Sequence, residues 1–378
     1  MLPTTLYIHI PWCIQKCPYC DFNSHRKPET WQEDPYIDKL LADLKQDILR
    51  FGVRQIDAIF LGGGTPSLLS GQAIHRLLKG VAQQLPLTQN LEITMEANPG
   101  TAEQQRFLMY RQAGVNRLSL GIQSFCPQQL KNLGRIHNAE EAYKAIDMAR
   151  SAGFDNLNLD IMHGLPNQTL EQGLDDLKKA IAFQPNHISW YQLTLEPNTL
   201  FYKKPPNLPS DDACAVIEEM GFHLLSQQGY HRYEISAFAK PGRPSQHNLN
   251  YWTFGDYFGI GAGAHGKLTS LDGTTIVRTQ KKRQPNDYLK AAVETLAQSH
   301  SLEQADILFE FMLNTSRLQQ PIPLALFAER TGLEISLLKE GLDSASSKGL
   351  IHFQDDHWQI TELGRRFTND LQSLFLPS

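Results

Sequence analysis

The chain has 378 residues, of which 41% are hydrophobic and 20% are charged, and its formal net charge is −5 at pH 7. This composition is typical of a globular protein with one large and one smaller domain. It excludes the global positive field of a nucleic-acid-binding protein. No stretch approaches the roughly 18 apolar residues of a membrane span, and residues 1–5 lack the basic and apolar regions of a signal peptide.

The first predicted element, a strand over residues 6–10, leads directly into a cysteine loop. Three of the five cysteines follow with the spacing C-x3-C-x2-C, at Cys13, Cys17 and Cys20. Thiolates are soft ligands that suit iron–sulfur clusters and zinc. A cluster used only for electron transfer normally takes four cysteines, so three in one loop indicate a cubane with one iron open to a small molecule.

Two other uses of the cysteines compete with this interpretation. A zinc site would need a fourth ligand, and because Cys126 and Cys214 are isolated, it would have to recruit His9 or His25. A disulfide framework fits less well, because the cysteines are clustered and odd in number. Free thiolates need a reducing compartment, which predicts a cytoplasmic protein.

Further apolar runs and helical periodicities predict a series of βα units in the first 200 residues. Strands that alternate with helices indicate a parallel sheet with the helices outside. The predicted strands cover residues 6–10, 58–61, 91–96, 117–121, 156–161 and 187–195, and the predicted helices cover residues 35–51, 72–85, 103–113, 139–152 and 170–183.

Polar groups gather where these strands end. In α/β barrels the carboxyl-terminal face of the sheet carries the chemistry. Any one such residue is as readily an ordinary capping residue, but six strand ends with a polar group predict a ligand site. A run of three glycines allows close backbone approach to a ligand after the second strand. Besides the cysteines and the glycines at 62–64, the residues are Thr65, Glu96, Gln123, Asp160 and Thr194.

The middle segment, residues 201–280, is predicted to extend and cover the barrel. A loop at 203–209 precedes a helix over 210–229 and a strand over 233–239. Residues 245–266 are dense in aromatic, glycine and polar residues. They are too apolar for a free loop and too glycine-rich for a helix, so we interpret them as a lid over the barrel mouth.

The last segment, residues 281–378, is predicted to be mainly helical and to resemble a winged helix. Winged helices often bind DNA, but basic residues are sparse here apart from 281–283 and 365–366, which favours a packing or substrate-covering role. The predicted helices cover 305–313, 324–330, two stretches within 331–348, and 361–373, and a hairpin over 350–360 turns at Asp355 and Asp356.

Taken together, the motifs resemble closely the oxygen-independent coproporphyrinogen III oxidase-like radical S-adenosylmethionine (SAM) proteins. The resemblance covers almost the whole chain. It implies an α/β fold, a partial (β/α)6 TIM-like barrel with a C-terminal helical domain, and a 4Fe–4S cluster whose open iron is chelated by SAM. It rests on residues 7–11 with the three cysteines, 62–66, 96–99, 121–125, Arg135 and 160–166.

The family's functional positions carry over onto matching residues. Cys13, Cys17 and Cys20 are similar to its cluster ligands. Glu96 would accept a hydrogen bond from the amino group of SAM, and Arg135 would donate paired hydrogen bonds to its carboxylate. Asp160 would form a hydrogen bond with a ribose hydroxyl. Reductive cleavage of SAM would then give a 5′-deoxyadenosyl radical. The SAM-contacting positions are Tyr7, Gly63, Gly64, Thr65, Glu96, Gln123, Arg135 and Asp160.

Two branches of this family differ in sequence features that can be compared with this chain. The decarboxylating oxidases usually carry a fourth cysteine where this chain has Phe22, and they have more than its twelve residues before the first cysteine. Residues 247–252 fit instead the H-N-x-x-Y-W motif of the haem-chaperone branch. Imidazole is a usual axial ligand of haem iron, and aromatic side chains pack on porphyrin faces. His247 is therefore the predicted haem ligand, against the alternative of a hydrogen-bonded histidine in an aromatic lid.

The expected function is that of a haem chaperone that binds haem and passes it to client haem proteins, with the 4Fe–4S cluster and SAM retained. The alternative is the oxidative decarboxylation of coproporphyrinogen III, for which we expect no turnover. A nucleic-acid-binding role is disfavoured by the charge balance. No residue is assigned as catalytic, and SAM cleavage in the working cycle, a homodimer and peripheral membrane contact stay open at this point.

Overall fold

The computed structural model of the protein describes residues 2–101, 104–292 and 294–376. Twelve strands of the described chain form one large sheet, and they are numbered β1 to β12 in chain order. They are β1 Thr4–Ile10, β2 Ile56–Gly63, β3 Leu87–Ala97, β4 Arg117–Gln123, β5 Asn156–His163, β6 His187–Gln192, β7 His231–Glu234, β8 Ala237–Ala239, β9 Asp256–Ile260, β10 His265–Thr269, β11 Ile276–Lys281 and β12 Leu296–Ser301.

The six predicted strands are confirmed as neighbouring parallel strands β1 to β6. The sheet order is β12-β11-β10-β9-β1-β2-β3-β4-β5-β6-β8-β7, so the parallel strands form a partial barrel with antiparallel additions at both edges. Residue 103, the predicted start of the third helix, lies outside the described residues. The helices of this part are Asp34–Phe51, Gly71–Ala82, Gln104–Ala113, Pro127–Asn132, Ala139–Ser151 and Leu170–Ala182, with 3-10 turns at Pro66–Leu68 and Pro99–Thr101.

Successive side chains of each strand point to opposite faces of the sheet, one toward the hydrophobic core and the other toward the barrel interior. In β1 the side chains of Leu6, Ile8 and Ile10 are fully buried in the main hydrophobic core. Tyr7 and His9 occupy the alternate positions and line a cavity on the inner side of the sheet. The same alternation brings polar side chains of the neighbouring strands to the barrel interior.

The predicted elements of residues 201–280 need correction. The predicted strand 233–239 is a hairpin of β7 and β8, because the Glu234 carboxylate accepts a hydrogen bond from the Ser236 backbone N–H at 3.0 Å and stabilises a turn. Strand β9 was not predicted, and it pairs in parallel with β1. The helices of this part are Leu200–Lys203, Asp211–Gln227 and Gln246–Trp252.

The expectation that residues 245–266 contain no helix is wrong for the first part of this segment. Gln246–Trp252 is a helix, since its glycines come only afterwards and the Ser245 hydroxyl accepts from the Asn248 backbone N–H at its start. Asn250 Nδ2 donates to Thr5 Oγ1 at 3.3 Å, and the Gln246 N–H donates to Glu92 Oε1 at 3.0 Å. Both partners precede the carboxyl ends of their strands, so the helix closes the interior from the opposite end.

The C-terminal part packs around a second hydrophobic core that runs from Leu302 to Phe375. Its helices and β-hairpin are confirmed, but the predicted helix 361–373 is broken at Phe367, and the predicted domain start at 281 falls inside the large sheet. None of the described helices is long and apolar enough to cross a membrane. The elements are Pro285–Lys290, Gln304–Thr315, Ala325–Thr331, Ile335–Leu338, Lys339–Ser347, Glu362–Arg366 and Thr368–Ser373, with strands Ile322–Pro323, Ile351–Gln354 and His357–Ile360.

Candidate functional site

A cavity of about 280 Å³ lies where the parallel strands end, beside the cysteine loop. The structure brings together here almost all of the predicted cluster and SAM positions. Thr194 follows β6, is exposed and does not line the cavity, and Tyr7 lines a neighbouring cavity instead. The predicted residues that line the first cavity are Cys13, Cys17, Cys20, Gly63, Gly64, Thr65, Glu96, Gln123, Arg135 and Asp160.

The cysteine loop is held against the end of β2 by backbone hydrogen bonds. The Gly64 N–H donates to Ile10 O at 2.7 Å, and the Thr65 N–H donates to Trp12 O at 2.8 Å. A Cβ atom on Gly64 would lie 2.6 Å from Trp12 O, a distance that real Cβ atoms do not show. The glycine run therefore allows two backbone segments to touch, which positions Cys13 next to Thr65.

Burial is the main influence on the pKa of two of the three thiols. It raises the pKa of Cys13 and of Cys20, while hydrogen bonds from Thr65 and Ser24 oppose the rise. Because the thiolate is the form that binds metal, iron would have to supply the stabilisation that water no longer gives. No three His, Cys, Asp or Glu side chains of the described chain are arranged to hold a single metal ion. In a cubane each thiolate binds a different iron.

Two half-buried acids face the same cavity, and neither forms an ion pair with a residue that the structure describes. Glu96 accepts one hydrogen bond, from the Gly63 N–H at 3.0 Å, and Asp160 accepts from Ser119 and Asn158 at 2.9 and 2.8 Å. Burial, and secondly the charge of Asp160, raises the pKa of Glu96 to about 8. Burial also raises the pKa of Asp160. Such acids are suited to a cationic ligand.

Arg135 is the basic group at this cavity. Its Nη2 donates to Gly121 O at 2.8 Å, and its Nη1 lies 3.5 Å from both Cys17 Sγ and Tyr19 Oη. The Nε atom is buried without a hydrogen-bond partner among the described residues. An unpaired donor next to the cysteines suits a ligand carboxylate.

Gln123 and Tyr191 also line this cavity and contact each other. Gln123 has the positive φ of 69° and lies at a register shift between β4 and β5. Its Oε1 accepts a hydrogen bond from Tyr191 Oη at 2.8 Å. Sequence reasoning missed Tyr191, which alternates with His187 and Ser189 on the inner face of β6 and was detectable by that period.

The charges of this cavity complement those of SAM. Unbound SAM carries a sulfonium, an ammonium and a carboxylate, and the cavity offers two acids and one guanidinium, all of them half-buried. The three cysteines line the same space, as a cluster that SAM chelates would require. The residues present therefore fit both groups, and the assignment of each residue to SAM stays a prediction.

Protonation of Glu96 predicts how SAM binding depends on pH. With its pKa near 8, Glu96 is mostly protonated at pH 6 and must ionise to pair with the ligand ammonium. We expect SAM to bind about tenfold more tightly at pH 7.5 than at pH 6, as measured by calorimetry. Glu96→Gln should bind weakly with no such pH dependence. Equal affinities of the natural protein at both pH values would contradict this role for Glu96.

A second and larger cavity, of about 760 Å³, adjoins the first one and shares Phe22, Gly63 and Glu96 with it. Its volume falls within the 300–1,000 Å³ that is usual for ligand pockets. Its walls come from the inner face of β1 and β2, the loop after Cys20, the helix Gln246–Trp252 and the strands β10 and β11. The aromatic side chains in these walls are Tyr7, Phe22, Phe60, Tyr251, Trp252 and Tyr257.

His247 projects into this second cavity from the short helix. Its ring lies 5.1 Å from Phe60 and 6.2 Å from Tyr7, between ring centroids. Its Nδ1 is buried with no hydrogen-bond partner among the described residues, and its role as a haem ligand stays a prediction. Burial, and secondly Arg117, lowers the pKa of His247 to about 4, so the imidazole is neutral at pH 7 and able to bind a metal.

Comparisons with known proteins agree on one family. Residues 7–180 match the Radical SAM superfamily, and residues 302–367 match the HemN C-terminal domain. The chain is 52% identical to the heme chaperone HemW of Escherichia coli (strain K12), with 99% of this chain and 98% of that protein covered. It is 34% identical to the heme chaperone HemW of Bacillus subtilis (strain 168), with 98% of each covered.

One solved structure resembles this chain over its whole length. The coproporphyrinogen III oxidase HemN from Escherichia coli superposes with a TM-score of 0.82 and covers 99% of this chain and 90% of its own. The sequence identity is 24%, so this likeness concerns the fold. It confirms the predicted partial barrel with an additional C-terminal domain.

Proposed function

The chain belongs to the HemW family of radical SAM proteins, and on this premise we propose that it is a haem chaperone that binds haem and delivers it to client haem proteins. The observation that carries the proposal is the position of His247. Its neutral imidazole faces a cavity of about 760 Å³ with aromatic walls, and its Nδ1 has no partner in the described chain. Free cysteines are compatible with a reducing compartment, for which we propose the cytoplasm.

Haem binding at this cavity would use two kinds of contact. The imidazole of His247 would bind the iron, because neutral imidazole is a usual axial ligand. The aromatic rings would cover apolar porphyrin surface, which stabilises the bound state through burial of apolar area. Tyr251 is held by contacts with Trp252 and Tyr257 at 5.0 and 4.9 Å between ring centroids, so these rings are fixed relative to the helix that carries His247.

The first cavity would hold the cluster and SAM. It adjoins the second cavity, which we call the haem cavity. The residues that would hold them are Cys13, Cys17 and Cys20 for the cluster, and Glu96 and Arg135 among those for SAM. When bound, the reduced cluster supplies the electron for cleavage of the SAM sulfonium. The acids would pair with cationic groups there, and Arg135 would orient a carboxylate.

The alternative is an oxidase that converts coproporphyrinogen III to protoporphyrinogen IX. Phe22 favours the chaperone, because members of the oxidase branch resemble this chain elsewhere but usually carry a cysteine at that position. The Phe22 side chain is 58% exposed and borders both cavities. This chain therefore has an apolar ring, and not a thiol, at the junction of the two cavities.

One anaerobic experiment separates these functions. The reconstituted protein is given haem in one arm, and coproporphyrinogen III with SAM and a reductant in the other. We expect a Soret band of bound haem and no protoporphyrinogen IX. His247→Ala should weaken haem affinity at least about tenfold and shift the band, because the axial nitrogen is lost.

The matched control is His223→Ala, an exposed histidine on the helix Asp211–Gln227 that does not line the cavity. It should bind haem as the natural protein does, and both variants should keep their iron content. Robust formation of protoporphyrinogen IX would assign the protein to the oxidases. Haem binding that is insensitive to His247→Ala would remove the proposed ligand.

A further inference from the structure

We propose that Arg283, together with His265, forms a carboxylate-binding subsite at the mouth of the haem cavity and recognises the haem propionates. This inference rests on the proposed function, because it concerns the orientation of haem in the same cavity. Arg283 and His265 both line that cavity, and both are exposed. Haem is an apolar disc with two carboxylates on one edge, so iron binding by a ligand deep in the cavity directs the carboxylates toward the cavity mouth, where Arg283 lies.

Arg283 is held in place by its backbone. Asn23 Nδ2 donates to Arg283 O at 2.9 Å and to Ala262 O at 2.9 Å. The neighbouring Lys282 O accepts from the Gly263 N–H at 2.9 Å. The residue is therefore fixed where β11 ends against the loop that follows the cysteines, and its side chain is presented at the cavity by a rigid segment.

A series of contacts connects this position with His247 along one wall of the cavity. The ring of His247 stacks on Tyr7, and Tyr7 Oη lies 2.9 Å from His9 Nδ1. His9 Nε2 lies 2.9 Å from Asn23 O, and Asn23 in turn bonds Arg283 O. The iron ligand and the arginine thus occupy the inner and outer parts of one continuous surface.

Arg278 and Arg283 lie near this mouth, and they differ in whether they form an ion pair with an acidic residue of the protein. Arg278 donates from Nε to Glu310 Oε2 at 2.9 Å and from Nη1 to Tyr257 Oη at 2.7 Å, so its charge is compensated within the protein. Arg283 makes no ion pair with any residue of the described chain, although the acids Asp21 and Glu96 also line the cavity. Its guanidinium is the one at this mouth that is open to an external carboxylate.

His265 completes the subsite as a neutral donor. It begins β10, and it lines both the haem cavity and an adjoining cavity that contains Arg278. Burial, and secondly the charges of Arg278 and Arg283, lowers the pKa of His265. A neutral imidazole can donate one hydrogen bond to a carboxylate, and the positive charge of the subsite comes from Arg283.

The test compares haem with haem dimethyl ester, in which both carboxylates are neutral, by Soret titration of the full-length protein in the same solvent. We expect the natural protein to bind haem about tenfold more tightly than the ester. Arg283→Gln should lose that preference, with haem affinity about tenfold lower and ester affinity within twofold of the natural value. Lys282→Gln is the matched control, since it removes the same charge one residue earlier but does not line the cavity.

The outcomes distinguish this inference from the proposed function. Equal affinity of the natural protein for haem and ester, with the band still sensitive to His247→Ala, would overturn the propionate subsite and leave the haem chaperone. Failure to bind either compound would overturn both. His265→Ala should weaken haem binding alone, and an equal loss for the ester would show that His265 acts on the iron or the ring instead. The ester comparison needs no variant, so it tests recognition of the propionates even if Arg283→Gln does not fold.

Discussion

Replacement of any one of Cys13, Cys17 and Cys20 by alanine is expected to abolish the iron–sulfur cluster. Anaerobic reconstitution of the natural protein should give about four irons per chain with the visible absorption of a 4Fe–4S cluster. Each variant should fall to near zero, because two thiolates cannot hold a cubane that already has one iron without a protein ligand. The measurement is iron and sulfide analysis together with the absorption spectrum.

The two remaining cysteines provide matched controls in the same chain. Cys126 precedes the helix Pro127–Asn132, and Cys214 is buried on the helix Asp211–Gln227; neither lines the first cavity. Cys126→Ala and Cys214→Ala should therefore keep full iron content. Stoichiometric zinc without an iron chromophore in the natural protein would refute the cluster and revive the zinc alternative.

The sequence predicted the barrel well because its signals are local. Each of β1 to β6 is an apolar run that is followed by a helix, and the alternation alone specifies a parallel sheet. Strand β9 pairs with β1 over a sequence separation of about 250 residues, since Thr4 lies opposite Asp256. A local sequence pattern cannot predict a partner that lies so far along the chain. The antiparallel strands β10 to β12 were also missed, although they pair locally, with Thr269 opposite Ile276 across a short turn.

The candidate site was predicted to a similar extent. The rule that polar residues gather at the carboxyl ends of parallel strands located Glu96, Gln123 and Asp160 correctly at one cavity. The rule could not locate Tyr7, because it lies in the middle of its strand and faces the larger cavity. Nor could it find the second cavity itself, which depends on how the helix Gln246–Trp252 folds back into the barrel.

Charged residues in the core were the hardest to predict. Three successive basic residues at 281–283 indicate an exposed segment, but the side chain of Lys281 is fully buried. Its Nζ donates to Asp43 Oδ1 at 2.6 Å and to Asp47 Oδ1 at 2.7 Å, and Asp43 lies 238 positions earlier in the chain. Only the folded structure brings these charges together.

Replacement of Lys281 by methionine is expected to be strongly destabilising. The ammonium joins the helix Asp34–Phe51 to the end of β11, and Asp43 also accepts from Tyr288 Oη at 2.7 Å and from the Gly261 N–H at 3.1 Å. Lys281→Met leaves two buried acids without their cation, and loss of one partner of a buried ion pair costs about 3–5 kcal/mol in the free energy of unfolding. Denaturant unfolding measures this loss, and Lys282→Met, next to it but only half-buried, should stay within about 0.5 kcal/mol.

The pH dependence of this loss tests its electrostatic cause. Burial raises the pKa of Asp47 from 3.8 to about 6, and Lys281 opposes the rise, so the pKa of Asp47 should go still higher in Lys281→Met. The folded variant then keeps a proton that the unfolded chain releases above pH 4, and its free energy of unfolding falls as the pH rises through this window. The deficit relative to the natural protein should accordingly be larger at pH 8 than at pH 5. A deficit that is the same at both pH values would mean that the variant is destabilised by lost packing, and that Lys281 does not act through its charge.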